Sequence, residues 1–156
     1  MKEREMGRIR SVKPEFFQHW ELAELEFESS LPVRVAFMGL LTVADREGRF
    51  QWKPRRLKLD VLPFDTLDFE VVLDTLESGG FLKSYVVGDK KYGCIPSFMD
   101  HQIPSRKEPP SCIPGPDGLM TDFIAAPSNK IRIQVYERDG FHCVYCGANL
   151  SEEKDS

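Results

Sequence analysis

The sequence predicts an α+β fold, three helices followed by a small β-hairpin, within the first 104 of its 156 residues. Three observations carry this prediction. Apolar residues recur at helical spacing in three successive stretches, each bounded by capping or breaking residues. A run of strand-forming residues follows, divided by Gly88-Asp89. Prolines then crowd the chain: seven of eleven lie between Pro96 and Pro127, a composition that disfavours helix and central strand.

The first helix is read from "SLPVRVAFMGLLTVADREG". Ser30 is its expected cap, Pro32 lies in its first turn, Phe37, Leu40, Leu41 and Ala44 form its buried stripe, and Gly48 stops it. The second, in "KPRRLKLDVLP", runs from Pro54 to a terminator at Pro63 and carries Arg55, Arg56 and Lys58 outward. The third, in "DTLDFEVVLDTLESGG", takes Asp65 as cap, buries Phe69, Val72, Leu73 and Leu76, and closes on Gly79 and Gly80. The hairpin "FLKSYVVGDKKYGCIP" sets Tyr85 opposite Tyr92 and Leu82 opposite Ile95. A short strand at Phe50 to Trp52 completes the sheet. This is a winged-helix order, with a basic N-terminal arm ahead of it and the hairpin as wing.

Domain organisation follows from the prolines. Residues 1–104 are the expected domain, 105–129 a semi-extended Pro-rich linker, and 130–156 a short C-terminal segment, a helix running into a poorly ordered tail. No run reaches the ~18 apolar residues of a membrane span, and "MKEREMGRIR" is too charged to lead into a signal sequence, so a cytoplasmic protein is expected. In that compartment Cys94, Cys112, Cys143 and Cys146 are not expected to form disulfides. The formal net charge of -4 does not exclude nucleic acid, because positive charge is segregated along the chain.

Three stretches, "RIRSVKPEFF", "ADREGRFQWKPRRLKLDVLPFD" and "VLDTLESGGFLKSYVVGDKKYGCIPSFMDHQIPSRKEP", together resemble the N-terminal winged-helix module of phage and prophage replisome-organiser proteins, over about residues 8–108. The resemblance implies a non-enzymatic, DNA-associated module of phage replication, at work in the cytoplasm of a bacterial host cell and joined to a variable C-terminal part. The later stretch "IRIQVYERDGFHCVYCG" resembles the start of an HNH endonuclease, over about residues 130–150. Complete members add a second C-x-x-C and a ββα-metal centre with a catalytic histidine; neither occurs here, and His142, beside the first cysteine, takes no catalytic role. Cys143 and Cys146 are thus half of a four-ligand zinc site, to be completed only by another chain or by residues beyond Ser156. No enzymatic activity and no resident cofactor are expected.

The candidate DNA-binding residues are Arg8, Arg10 and Lys13 in the arm, Lys53, Arg55, Arg56 and Lys58 at the second helix, and Lys83, Lys90 and Lys91 in the wing. Each set has a plainer alternative: a solvated terminus, a solvated helix face, and charges that blunt an edge strand. Phe16 and Phe17 read as a hydrophobic anchor for the N-terminal segment rather than a base-stacking platform. The third helix is opposite in character. Asp65, Asp68, Glu70, Asp74 and Glu77 leave it without Lys or Arg from Pro63 to Gly80, so docking it into a major groove would set carboxylates against phosphates. The stretch "ELAELEFESS" adds Glu21, Glu24, Glu26 and Glu28.

Two functional classes therefore stand beside each other. In one, a DNA-binding replication accessory holds the backbone with second helix, arm and wing, and self-association adds avidity. In the other, a protein-interaction module uses its acidic faces to recruit or inhibit a host or phage nucleic-acid-handling complex. A third, an HNH nuclease of which this is the N-terminal part, requires residues beyond Ser156.

Overall fold

The computed structural model describes residues 8–119. The expectations placed on Cys143, Cys146 and the C-terminal segment lie outside these described residues. Elements follow in the order η1 (Pro14–Gln18), α1 (Trp20–Ser29), α2 (Val33–Val43), β1 (Arg49–Gln51), α3 (Pro54–Val61), α4 (Phe69–Ser78), β2 (Lys83–Val87), β3 (Lys90–Cys94) and α5 (Phe98–His101). The three strands form one antiparallel sheet in the order β1-β3-β2. The described residues thus form a mixed α+β unit whose element order is compatible with a winged-helix arrangement.

Helix α1 is an addition to the expected set. "ELAELEFESS" announces itself in the sequence only by its acidity, because its apolar residues Leu22, Ala23, Leu25 and Phe27 are spread around the helix, leaving Phe27 exposed. Leu22 alone is fully buried, and the helix is held at its ends instead: His19 Nδ1 accepts from Leu22 N, and Ser30, with φ 57°, ends it. Ser30 is therefore a C-terminal residue of α1 and not the cap of α2. The N-terminus of α2 is served from α1, where Glu26 accepts from Arg34 N at 2.9 Å and takes the Arg34 guanidinium at 2.6 Å and 2.9 Å. This pair holds the Glu26 carboxyl below its usual range.

Helix α2 is the centre of the core and packs against α1, α3 and α4. It stops at Val43, not at Gly48. Ala44 is extended, and Asp45 begins a turn in which its Oδ1 accepts from Glu47 N and Arg49 N. The cap of α4 is likewise Asp68, which accepts from Glu70 N at 3.0 Å, and not Asp65. Phe69, Val72, Leu73 and Leu76 are buried as their spacing requires.

The hairpin register pairs Tyr85 with Tyr92, and Gly88 takes the positive φ (63°) of its two-residue turn. Opposite Phe50 stands Gly93, where a Cβ would come within 2.8 Å of both the Phe50 and Trp52 rings. The residue has to be small because two aromatic rings cross the sheet there, stacked at 6.0 Å. Phe50, Trp52, Leu82 and Ile95 face the helices and are buried.

The other face of the sheet corrects the expected linker. Tyr85 and Tyr92 stack on it at 5.8 Å, apolar surface that water would otherwise meet. The proline-rich chain covers it: Tyr85 Oη donates to the Pro114 carbonyl at 2.9 Å, and Arg49 Nη1 donates to the Ile113 carbonyl at 2.9 Å. Further back, the buried Ser111 hydroxyl donates to Asp45, and Glu108 binds Arg10. The expected boundary at residue 105 is therefore displaced. Residues 105–119 belong to the body, and the chain divides after Thr121.

Candidate nucleic-acid interface

Helix α3 begins at Pro54, preformed for the first turn, with Lys53 as its N-cap residue. Leu57 anchors it in the core, which turns Lys53, Arg55 and Arg56 to solvent and leaves Lys58 half-exposed. Arg56 pairs with Asp60 at 3.1 Å, one turn on. Lys53, Arg55 and Lys58 have no side-chain hydrogen bond or ion pair to the described residues.

One wing residue is brought to the start of this helix. Trp52 donates its backbone N–H to the Lys91 carbonyl at 3.0 Å, and Lys91 Nζ stands 4.4 Å from the centroid of a Trp52 ring. The indole is only 6% exposed, so the ammonium lies against an apolar wall. Lys91 is thereby fixed beside the residue preceding Lys53. Lys83 and Lys90 are on the opposite sheet face by strand alternation. Lys83 instead lies near the Cys94 thiol, which burial pushes above its usual range while Lys83 and Arg49 pull it down. The three wing lysines thus do not form one surface.

The N-terminal arm also divides. The Arg10 side chain is buried, donating to the Leu41 and Ala44 carbonyls and forming a double hydrogen bond with Glu108, while its guanidinium lies 5.3 Å from the Phe98 ring centroid. It is a structural cation whose donors are engaged within the fold, which corrects its place among the candidate DNA-binding residues. Arg8 donates to the Val43 carbonyl at 2.6 Å and approaches Glu108 at 3.2 Å, yet remains partly exposed. Lys13 sits elsewhere, at the edge of an apolar cavity of about 310 Å³ walled by Phe16, Phe37, Phe81 and Phe98. Phe16 is the anchor expected of it, 6.3 Å from Phe37, whereas Phe17 is largely exposed.

A second cavity, of about 210 Å³, opens where the arm, the end of α2, β1 and α3 meet. Arg8, Arg49, Lys53 and Arg56 line it against the carboxylates of Asp45 and Asp60. Sequence reasoning missed Arg49. The only trace of it in the sequence is its place one residue before the inward-facing Phe50, which turns it to the other side of the strand.

The acidic candidates also separate by role. Asp68 is a cap, and Glu77 accepts from Ser84 N at 2.6 Å, tying α4 to the edge strand. Asp65, Glu70 and Asp74 remain exposed, as do Glu21, Glu24 and Glu28 on α1. Among the described residues no group of three or more His, Cys, Asp or Glu side chains is arranged to hold a metal ion, and no helix is long and apolar enough to cross a membrane. No family model matches the chain, and searches of curated proteins and of solved structures give no significant match.

Proposed function

We propose that residues 8–119 are a winged-helix module that binds DNA without enzymatic action, as an accessory of phage-type replication. The fold reading is supported by the order of α2, β1, α3, α4, β2 and β3 and by the placement of β3 between the other two strands. The replication setting comes from the resemblance to replisome organisers. The DNA reading rests on one observation: Trp52 pins Lys91 of the wing at the start of α3, the helix whose exposed residues are Lys53, Arg55 and Arg56. Exposed Lys and Arg side chains on a helix face suit binding to backbone phosphates, which carries no base information. The reading therefore predicts affinity that varies little with DNA sequence and falls steeply with salt. An electrophoretic shift series with unrelated duplexes and single strands between 50 and 200 mM salt tests it, with an expected fall in affinity of about 10³ or more if six phosphates are neutralised. Absence of any shift at the lower salt sinks it.

A second reading is favoured by α4, whose exposed Glu70 and Asp74 face solvent with no cation on the helix. In that reading the acidic surfaces of α1 and α4 meet a basic protein of a host or phage replication complex. Such a protein captures a basic partner and ignores DNA. Zinc binding through Cys143 and Cys146, and membership of a longer HNH nuclease, belong to the segment outside the described residues.

A further inference from the structure

We propose that the 210 Å³ cavity between the arm, β1 and α3 is a phosphate-binding pocket, with the exposed Lys53 and Arg56 as its clamps and Arg49 and Arg8, each bonded to a backbone carbonyl, as its wall. Four cationic side chains meet two carboxylates there, and both carboxylates are already engaged. Asp45 accepts from Glu47 N, Arg49 N and the Ser111 hydroxyl, and Asp60 accepts from Arg56. The wall is held by the backbone: Arg49 donates to the Ile113 carbonyl and Arg8 to the Val43 carbonyl. Lys53 has no side-chain partner among the described residues.

The placement of these charges on α3 supports the assignment. Lys53, Arg56, Leu57 and Asp60 are the i, i+3, i+4 and i+7 stripe of the helix, so one face lines the cavity. Its cations occupy the first turn and its carboxylate the last, the reverse of what the helix dipole favours. An anion between Lys53 and Arg56 relieves that arrangement and is held by the side chains, because Pro54 has no N–H and the Arg56 and Leu57 N–H groups donate to the Lys53 carbonyl. The volume decides the size of ligand. About 210 Å³ lies below the ~300–1,000 Å³ of sites that enclose a drug-sized molecule, which suits a single phosphate group and not a whole nucleotide.

The source of that phosphate, a DNA backbone or the free ion, rests on the DNA-binding reading; the pocket does not. The test uses the full chain and a Lys53→Gln/Arg56→Gln variant, with circular dichroism confirming that both are folded. Inorganic phosphate is titrated against each by NMR at fixed ionic strength, with chloride as control, and the same pair is compared in DNA shifts. The expected result is saturable phosphate binding by the natural chain, weakened at least about tenfold in the variant, as loss of charge-assisted hydrogen bonds implies. DNA affinity that falls in the same variant assigns the pocket to the DNA backbone. Phosphate binding without any DNA binding keeps the pocket and removes the DNA reading. No saturable phosphate binding, or equal binding by both proteins, overturns the pocket, whether or not DNA is bound.

Discussion

Arg10 and Glu108, 98 positions apart in the chain, meet in a double hydrogen bond of 2.9 and 2.7 Å. The Arg10 side chain is 3% exposed and that of Glu108 8%. The guanidinium also satisfies the Leu41 and Ala44 carbonyls at the end of α2, so a single residue ties the N-terminal segment, the central helix and the proline-rich strap together. Its charge is compensated within the fold.

This pair sets a pH dependence. Hydrogen bonding to Arg10, with Arg8 and Arg46 adding positive potential, holds the Glu108 carboxyl below its usual range. A depressed folded-state value means that the stabilisation is fully present above the unfolded value of about 4.3 and is lost as pH falls through the lower folded one. Glu108→Ala should cost ~3–5 kcal/mol at pH 7, because it leaves a buried cation unpaired. Urea unfolding of both proteins at pH 7 and at pH 3 checks this. The gap between them should narrow at the lower pH, and a gap that widens there contradicts the assignment.

The strap over the sheet gives a second expectation. A chain ended at residue 104 lacks Glu108, Ser111, Ile113 and Pro114, and should melt well below one ended at residue 121. Tyr85 reports the difference. Burial pushes its phenol up to about 12, so its contribution to stability is intact below about 10 and is lost as pH rises through the folded value. In the shorter chain, absorbance titration should return this tyrosine toward 10. An unchanged titration would mean that the strap does not shield it.

Helix α4 separates buried, capping and exposed positions within a few turns. Leu73→Ala and Leu76→Ala should each cost ~2–5 kcal/mol by cavity formation. Asp68→Ala should cost ~1 kcal/mol through removal of the cap, and Glu70→Ala should be nearly silent. Thermal or denaturant unfolding of the four variants ranks them. Glu70 above Leu73 in that ranking is incompatible with the helix face described.

For DNA, replacing Arg55, Arg56 and Lys58 together by alanine should weaken binding across unrelated sequences and reduce the salt slope by ~0.9 for each phosphate no longer neutralised. Stability should hold, since Leu57 and not these residues anchors α3. Arg10→Ala should behave in the opposite way, losing stability first. Shift assays and unfolding curves on the two variants distinguish a surface cation from a structural one.

Local chemistry in the sequence was sufficient for the helices α2, α3 and α4 and for the Tyr85–Tyr92 register, because their apolar spacing, prolines and turn glycine act within a few residues. The basic character of α3 and the acidic character of α4 were equally legible, since outward charges are read from the same periodicity. Helix α1 is not legible in this way, because its stability comes from its ends and its neighbours and not from a buried stripe. Only the tertiary structure decided which cations remain available. Arg10, Arg8 and Arg49 look alike in the sequence, yet their carbonyl and carboxylate partners lie 31 to 98 residues away. The same holds for the prolines. Their composition disfavours helix, and only the four-residue α5 forms among the described part of the stretch, but whether such a chain floats free or covers a sheet depends on the apolar face it meets, here Tyr85 and Tyr92.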